Sequence, residues 1–162
     1  MEANFGQLVR DIMKGDVITV SPEEGIQTIA DTLMKRNIHA VPVVDSNRYV
    51  VGMITESDFF LRDRIPLHLP SFIDTIQKTL TEEILNDADR AIVEKIVSAQ
   101  ARDIMTTECV TVYGDTSLHD LLRIFLETHY KTIPVVDASH RLIGIVTLVD
   151  ILKFVVSVNK TL

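Results

Sequence analysis

The chain has one cysteine, Cys109, among its 162 residues, so no intramolecular disulfide can form. A reducing compartment is the expectation that follows. Basic residues are outnumbered, 16 against 23 acidic, for a net charge of −7. A nucleic-acid surface needs a basic stripe, and this chain has none to offer. No apolar run approaches the roughly 18 residues of a membrane span. The start, MEANFGQLVRDIM, lacks the basic opening and apolar stretch of a signal peptide. A cytoplasmic protein that binds neither nucleic acid nor membrane is expected. His39, His68, His119, His129 and His140 are scattered without metal-ligand spacing. Neither a glycine-rich phosphate loop nor a G-x-S-x-G elbow occurs. The expectation is therefore no catalytic residue, no metal and no required cofactor.

What the chain does have is the same segment twice. Arg10–Phe60 aligns with Arg102–Leu152 without a gap, at a constant offset of 92, and 13 of the 51 pairs are identical. This reads as an internal duplication, and paired units commonly enclose a ligand cleft. Each copy opens on Arg-Asp-Ile-Met (10–13 and 102–105), read as a short helical turn. A strand follows, Val17–Val20 or Cys109–Val112. Ser21-Pro22-Glu23-Glu24 has a capping-box pattern. Ile26, Ile29, Ala30, Leu33 and Met34, or Leu118, Leu121, Leu122, Phe125 and Leu126, then recur at helical spacing. Two strands come next, Val41–Val44 with Tyr49–Thr55 and Ile133–Val136 with Arg141–Thr147. Pro42 and Pro134 suggest edge or strand-start positions. Asp45 and Asp137 fall in the turns and read as structural. A closing helix begins near Thr55 or Thr147.

The predicted unit is β-α-β-β-α, with repeat one at 1–60, an insert at 61–101 and repeat two at 102–162. Pro66 and Pro70 break the insert, after which two apolar helical patterns follow. The last helix, from Leu148 to Val156, is apolar nearly all round. One packed stripe does not need so much, which points to a second buried face, against another subunit in a homodimer or, as the alternative, beneath the insert of the same chain.

The segments Gly52–Asp58 and Gly144–Asp150 carry the chemistry. Read structurally, Thr55 and Thr147 are N-caps and Asp58 and Asp150 complete the capping box. Read functionally, a helix start suits phosphate and an ionised aspartate can accept both ribose hydroxyls. Gly52 and Gly144, inside strands, mark a close approach by another group. Both readings stand on the residues alone. Cys109 reads as a buried, inert thiol.

VITV and CVTV, HAVPVVD and KTIPVVD, GMITESD and GIVTLVD, in that order twice, resemble a tandem pair of CBS domains, named after cystathionine β-synthase. The resemblance implies an α+β fold of two β-α-β-β-α CBS repeats packed as a pseudo-two-fold pair, a Bateman module, with the helical insert between them. It implies a stand-alone regulatory module, not an enzyme, that binds an adenosyl ligand (AMP, ADP, ATP or S-adenosylmethionine) in clefts between the repeats and acts on a target protein in trans. Both flanks being short, nothing attached is expected to be the effector. The alternative is a dimerisation module with no physiological ligand.

Carried over, one cleft uses Asp16, Ile18, Ile38 and His39 with Thr147 and Asp150. The other uses Glu108, Val110, Tyr130 and Lys131 with Thr55 and Asp58. Relatives that hold di- or triphosphates place His and Arg before Pro-Val-Val-Asp. Here those positions read His39-Ala40 and Lys131-Thr132, which favours a ligand of few charges. Leu148 and Val149 make the second helix start less polar, so occupancy of one site alone is compatible with the pattern.

Overall fold

The computed structural model describes residues 6–59, 87, 90, 94, 98–128 and 130–159, with side chains to 157. The helices whose bounds lie within the described residues are α1 (Ile26–Arg36), α2 (Ala101–Ile104), α3 (Leu118–Thr128) and α4 (Leu148–Asn159), and residues 87, 90, 94 and 98 are also helical. Its strands are β1 (Ala40–Val44), β2 (Val50–Thr55), β3 (Val112–Tyr113), β4 (Thr132–Val136) and β5 (Leu142–Thr147). Single 3-10 turns occupy Val9–Asp11 and Glu56–Phe59. The two helices expected from Phe72 to Val97 fall almost wholly outside the described residues.

Two compact units form, and neither is a contiguous repeat. The first joins residues 1–19, 44–50 and 108–162, and the second joins 20–43 and 51–107. Each unit thus combines the β-α-β-β body of one repeat with the Arg-Asp-Ile-Met arm of the other. The two arms are built alike around their repeated Asp. Asp11 Oδ2 accepts the Leu8 N–H at 2.9 Å, and Asp103 Oδ2 accepts the Gln100 N–H at 2.8 Å, closing each turn. Val9 and Ile104 are buried. Lys14 exchanges both backbone hydrogen bonds with Ile145, as Thr106 does with Met53, all at 2.9 Å. The arm therefore continues the sheet edge beside β5 or β2.

In the first unit β3 pairs parallel with β4, and β4 pairs antiparallel with β5. Val112, Leu121, Phe125, Ile133, Val135, Val146 and Ile151 form its core, with Val9 of the arm. In the second unit, β1 and β2 form a hairpin whose tip belongs to the first unit. Ile26, Ile29 and Leu33 of α1 are buried, as are Val41, Val43 and Ile54.

Three local expectations need correction. Of Val17–Val20 only Val20 is bridged, to Val43, and of Cys109–Val112 only Val112 is in a strand. The Ser21–Glu24 capping box does not form. Helix α1 starts at Ile26 behind Gly25 with no side-chain cap, while the Pro22 and Glu24 carbonyls accept N–H groups of Arg102 and Ala101. Ser117, the counterpart of Gly25, does cap α3, its Oγ accepting the Asp120 N–H at 3.1 Å. Finally, Pro134 is in the central strand of its sheet. It lies opposite Ile145, whose own backbone groups turn to Lys14, so the missing N–H interrupts no β4–β5 bond.

The turn aspartates act as read. Asp45 Oδ1 accepts the N–H groups of Asn47 and Tyr49, and Asp137 Oδ1 those of Ser139 and Arg141. Each fixes a turn whose next-but-two residue, Arg48 or His140, has positive φ.

Candidate functional site

The start of each closing segment is a hydrogen-bonded ring. Asp150 Oδ2 accepts the Thr147 N–H at 2.8 Å and its hydroxyl at 2.6 Å, while Thr147 Oγ1 lies 3.3 Å from the Asp150 N–H. This is the capping box the sequence predicts. Asp58 Oδ2 accepts the Thr55 N–H at 2.6 Å and hydroxyl at 2.9 Å, and Thr55 Oγ1 is 2.7 Å from Ser57 Oγ. Asp58 and Asp150 are the two buried charged side chains among the described residues, at 5% and 7% exposure. One carboxylate oxygen of each is committed to its own threonine. Of the carboxylate expected to accept both ribose hydroxyls, only Oδ1 therefore remains.

Lys14 is the residue that sequence reasoning missed. Its ammonium lies 3.3 Å from Asp150 Oδ1. Burial works to raise the Asp150 carboxyl, but the Thr147 hydroxyl and amide and the Lys14 ammonium together hold it below the ordinary carboxylate range. The available signal was a difference between copies, Lys14 aligning with Thr106.

The glycines mark a close approach, and the structure identifies the approaching group. A β-carbon on Gly144 would stand 2.5 Å from Met13 Sδ, and one on Gly52 would stand 2.7 Å from Met105 Sδ. The arm of the other repeat occupies that space.

Of the remaining expected site residues, Asp16, Ile18, Glu108, Val110, Tyr130 and Lys131 belong to the first unit, with Thr147 and Asp150. Asp16, Glu108, Tyr130 and Lys131 are exposed, and Ile18 and Val110 half-buried. Ile38 and His39 belong to the second unit, with Thr55 and Asp58. His39 Nδ1 is 3.1 Å from Glu56 Oε2, and its carbonyl accepts the Glu56 N–H. The Lys131 carbonyl likewise accepts the Leu148 N–H at 3.2 Å. So the residue three positions before Pro42 or Pro134 abuts the closing segment of its own repeat.

Other chemistry is sparse. Among the described residues, no group of three or more His, Cys, Asp or Glu could hold a metal ion. Cys109, expected to be buried, is half-buried; that partial burial pushes its thiol above the usual value, and a hydrogen bond from its own backbone only partly opposes this. No described helix is long and apolar enough to cross a membrane. A groove of about 370 Å³ runs along α4 beside Val149, Leu152 and Val156. Another of about 650 Å³ lies beside Arg10, Met13, Tyr113 and Val136. Neither aspartate lines either groove.

The two-repeat α+β architecture, with a Thr-x-x-Asp ring closing each copy, is that of a CBS pair. The family model of the CBS domain matches residues 9–63 and 101–157, and the chain belongs to that family. It is 30% identical to protein MJ1426 of Methanocaldococcus jannaschii over 156 residues, 90% of this chain and 89% of that protein. It is 27% identical over 165 residues to the chloroplastic CBS domain-containing protein CBSX2 of Arabidopsis thaliana, covering 97% of this chain and 67% of that one. The crystal structure of CBSX2 in complex with AMP matches at 25% identity with a TM-score of 0.70, covering 95% of this chain and 99% of that chain. The CBS pair of protein MJ0100, crystallised with 5′-methylthioadenosine and S-adenosylmethionine, shares the fold at 24% identity and a TM-score of 0.65, over 93% of this chain and 97% of that chain.

Proposed function

We propose that the chain is a regulatory module that binds an adenosyl ligand through Asp58 and Asp150 and acts on a partner protein in trans. The observation that carries this reading is a buried carboxylate with an oxygen left over. Among the described residues, Asp58 Oδ1 accepts no hydrogen bond. No side-chain oxygen among the described residues is both sealed from solvent and without a partner, so Oδ1 opens to solvent. Desolvating a charge is costly unless something hydrogen-bonds it, and a ribose diol is a suitable donor pair. The half-buried Ile18, Ile38 and Val110 supply apolar side chains for a purine. Glu108, Tyr130, Lys131, Asp16 and His39 complete the proposed contacts, with Thr55 and Thr147. The AMP complex of CBSX2 supports the ligand class. The role is regulatory without turnover, and a homodimer through α4 is part of the reading.

A dimerisation module without a ligand is the second reading. It is favoured by the double use of Thr55, Asp58, Thr147, Asp150 and both glycines in folding. Thermal unfolding with AMP, ADP, ATP, S-adenosylmethionine, NAD and adenosine separates the two. A ligand at about 100 times its dissociation constant adds roughly 2.7 kcal/mol, a shift of about 5–10 °C here. Absence of any shift favours the second reading.

A further inference from the structure

The two aspartates occupy matching positions but differ in remaining acceptor capacity. The difference bears on the adenosyl reading above and rests on it. Oδ2 of each is taken by its own threonine N–H and hydroxyl. A carboxylate oxygen has about two acceptor positions. Among the described residues nothing donates to Asp58 Oδ1, which keeps both. Asp150 Oδ1 gives one to Lys14 Nζ at 3.3 Å.

The cause is one position in the repeat. Lys14 is pinned by its reciprocal backbone bonds to Ile145, two residues before Thr147. Thr106 is pinned in the same way to Met53, two residues before Thr55, but its side chain is short and uncharged. A ribose cis-diol presents two O–H donors. Asp58 Oδ1 can accept both, whereas Asp150 Oδ1 can accept one while Lys14 stays. An ammonium is a compact point charge on a flexible stem. A phosphate monoester, carrying roughly −1.5 to −2 at neutral pH, competes for it against a single carboxylate. A neutral nucleoside has no anion with which to do so.

We infer that the two carboxylates form chemically distinct subsites. Asp58 takes the cis-diol of an adenosyl ligand whatever its 5′ substituent. Asp150 takes one only when it carries a phosphate that draws Lys14 off the carboxylate, so Lys14 is its specificity determinant.

Calorimetric titration of the full chain with adenosine and with AMP tests this, using wild type, Lys14→Met and Thr106→Lys. Wild type binds one equivalent of adenosine and two of AMP. Lys14→Met admits a second adenosine and weakens AMP at that subsite by about tenfold, the loss of one charged hydrogen bond. Thr106→Lys weakens adenosine at Asp58. Equal stoichiometry and affinities for both ligands, unaltered by Lys14→Met, overturn the proposal. Binding of neither ligand overturns the adenosyl reading and the subsites with it. A ligand-free NMR titration keeps the two failures apart: the Asp150 carboxyl pKa rises in Lys14→Met if the ion pair exists, and stays put if it does not.

Discussion

Met13 occupies the space that a side chain on Gly144 would need. The sulfur is 2.5 Å and Cγ 3.0 Å from an ideal β-carbon there, with the Lys14 carbonyl at 3.1 Å. The contact seats the arm of repeat one on β5 of repeat two, and Met105 over Gly52 repeats it on β2. Gly144→Ala must displace both the thioether and the arm backbone. It is expected to cost about 1–3 kcal/mol in urea unfolding, as overpacking does. Met13→Ala in the same chain should recover part of that loss. Strict additivity of the two changes would mean that they do not touch.

Asp150 gives a pH dependence of known sign. Its folded carboxyl is held low, against burial, by Thr147 and Lys14. A depressed folded pKa stabilises the fold above the unfolded value near pH 4, and the gain is lost as pH falls through the folded value. Wild type should therefore exceed Asp150→Asn in stability at pH 6–7, with the gap closing on acidification below about pH 4. A constant gap down to about pH 2 would exclude the ionised carboxylate as the source.

Cys109 should react slowly. Burial raises its thiol pKa, which leaves little thiolate at neutral pH. Labelling by a disulfide reagent at pH 7 should be slower than for a free cysteine, and should accelerate on unfolding in urea. Equal rates for folded and unfolded chain would contradict the assigned burial.

How much of this was legible beforehand depended on whether a signal was local. The ungapped repeat was readable because it recurs at a constant offset of 92, and the helical spacing of Ile26 to Leu33 and the Thr55–Asp58 ring because their partners lie within four residues. The exchange of arms was not, since Met13 meets Gly144 across 131 residues of chain (144 − 13). The glycines announced a close approach but not by what. Ser21-Pro22-Glu23-Glu24 misled because its carbonyls bond the arm of the other repeat, which moves the helix start to Ile26. Pro134 misled because edge placement is only one way to tolerate a missing N–H; a non-hydrogen-bonded pair is another. Lys14 was hidden because the one signal, its mismatch with Thr106 between copies, does not say which distant group it meets.

The excess apolarity of the last helix has a clear arrangement. Ile151 is buried against the first unit's core, while Val149, Leu152, Val155 and Val156 are about half exposed. Positions 149, 152 and 156 fall on one helical face. If that face joins two copies, Leu152→Glu with Val156→Glu should convert a dimer to a monomer in sedimentation velocity while preserving the circular dichroism spectrum. A wild type that sediments as a monomer at about 100 μM would contradict the homodimer.

The central claim is that Oδ1 of Asp58 and, once Lys14 leaves it, Oδ1 of Asp150 receive an adenosyl ligand. Equilibrium dialysis with labelled AMP tests it most directly, on wild type, Asp58→Ala, Asp150→Ala and the double variant, each checked for folding. Saturable binding should be lost from one subsite in each single variant, by at least about tenfold, and from both in the double variant. Unchanged AMP binding by the folded double variant would contradict the account.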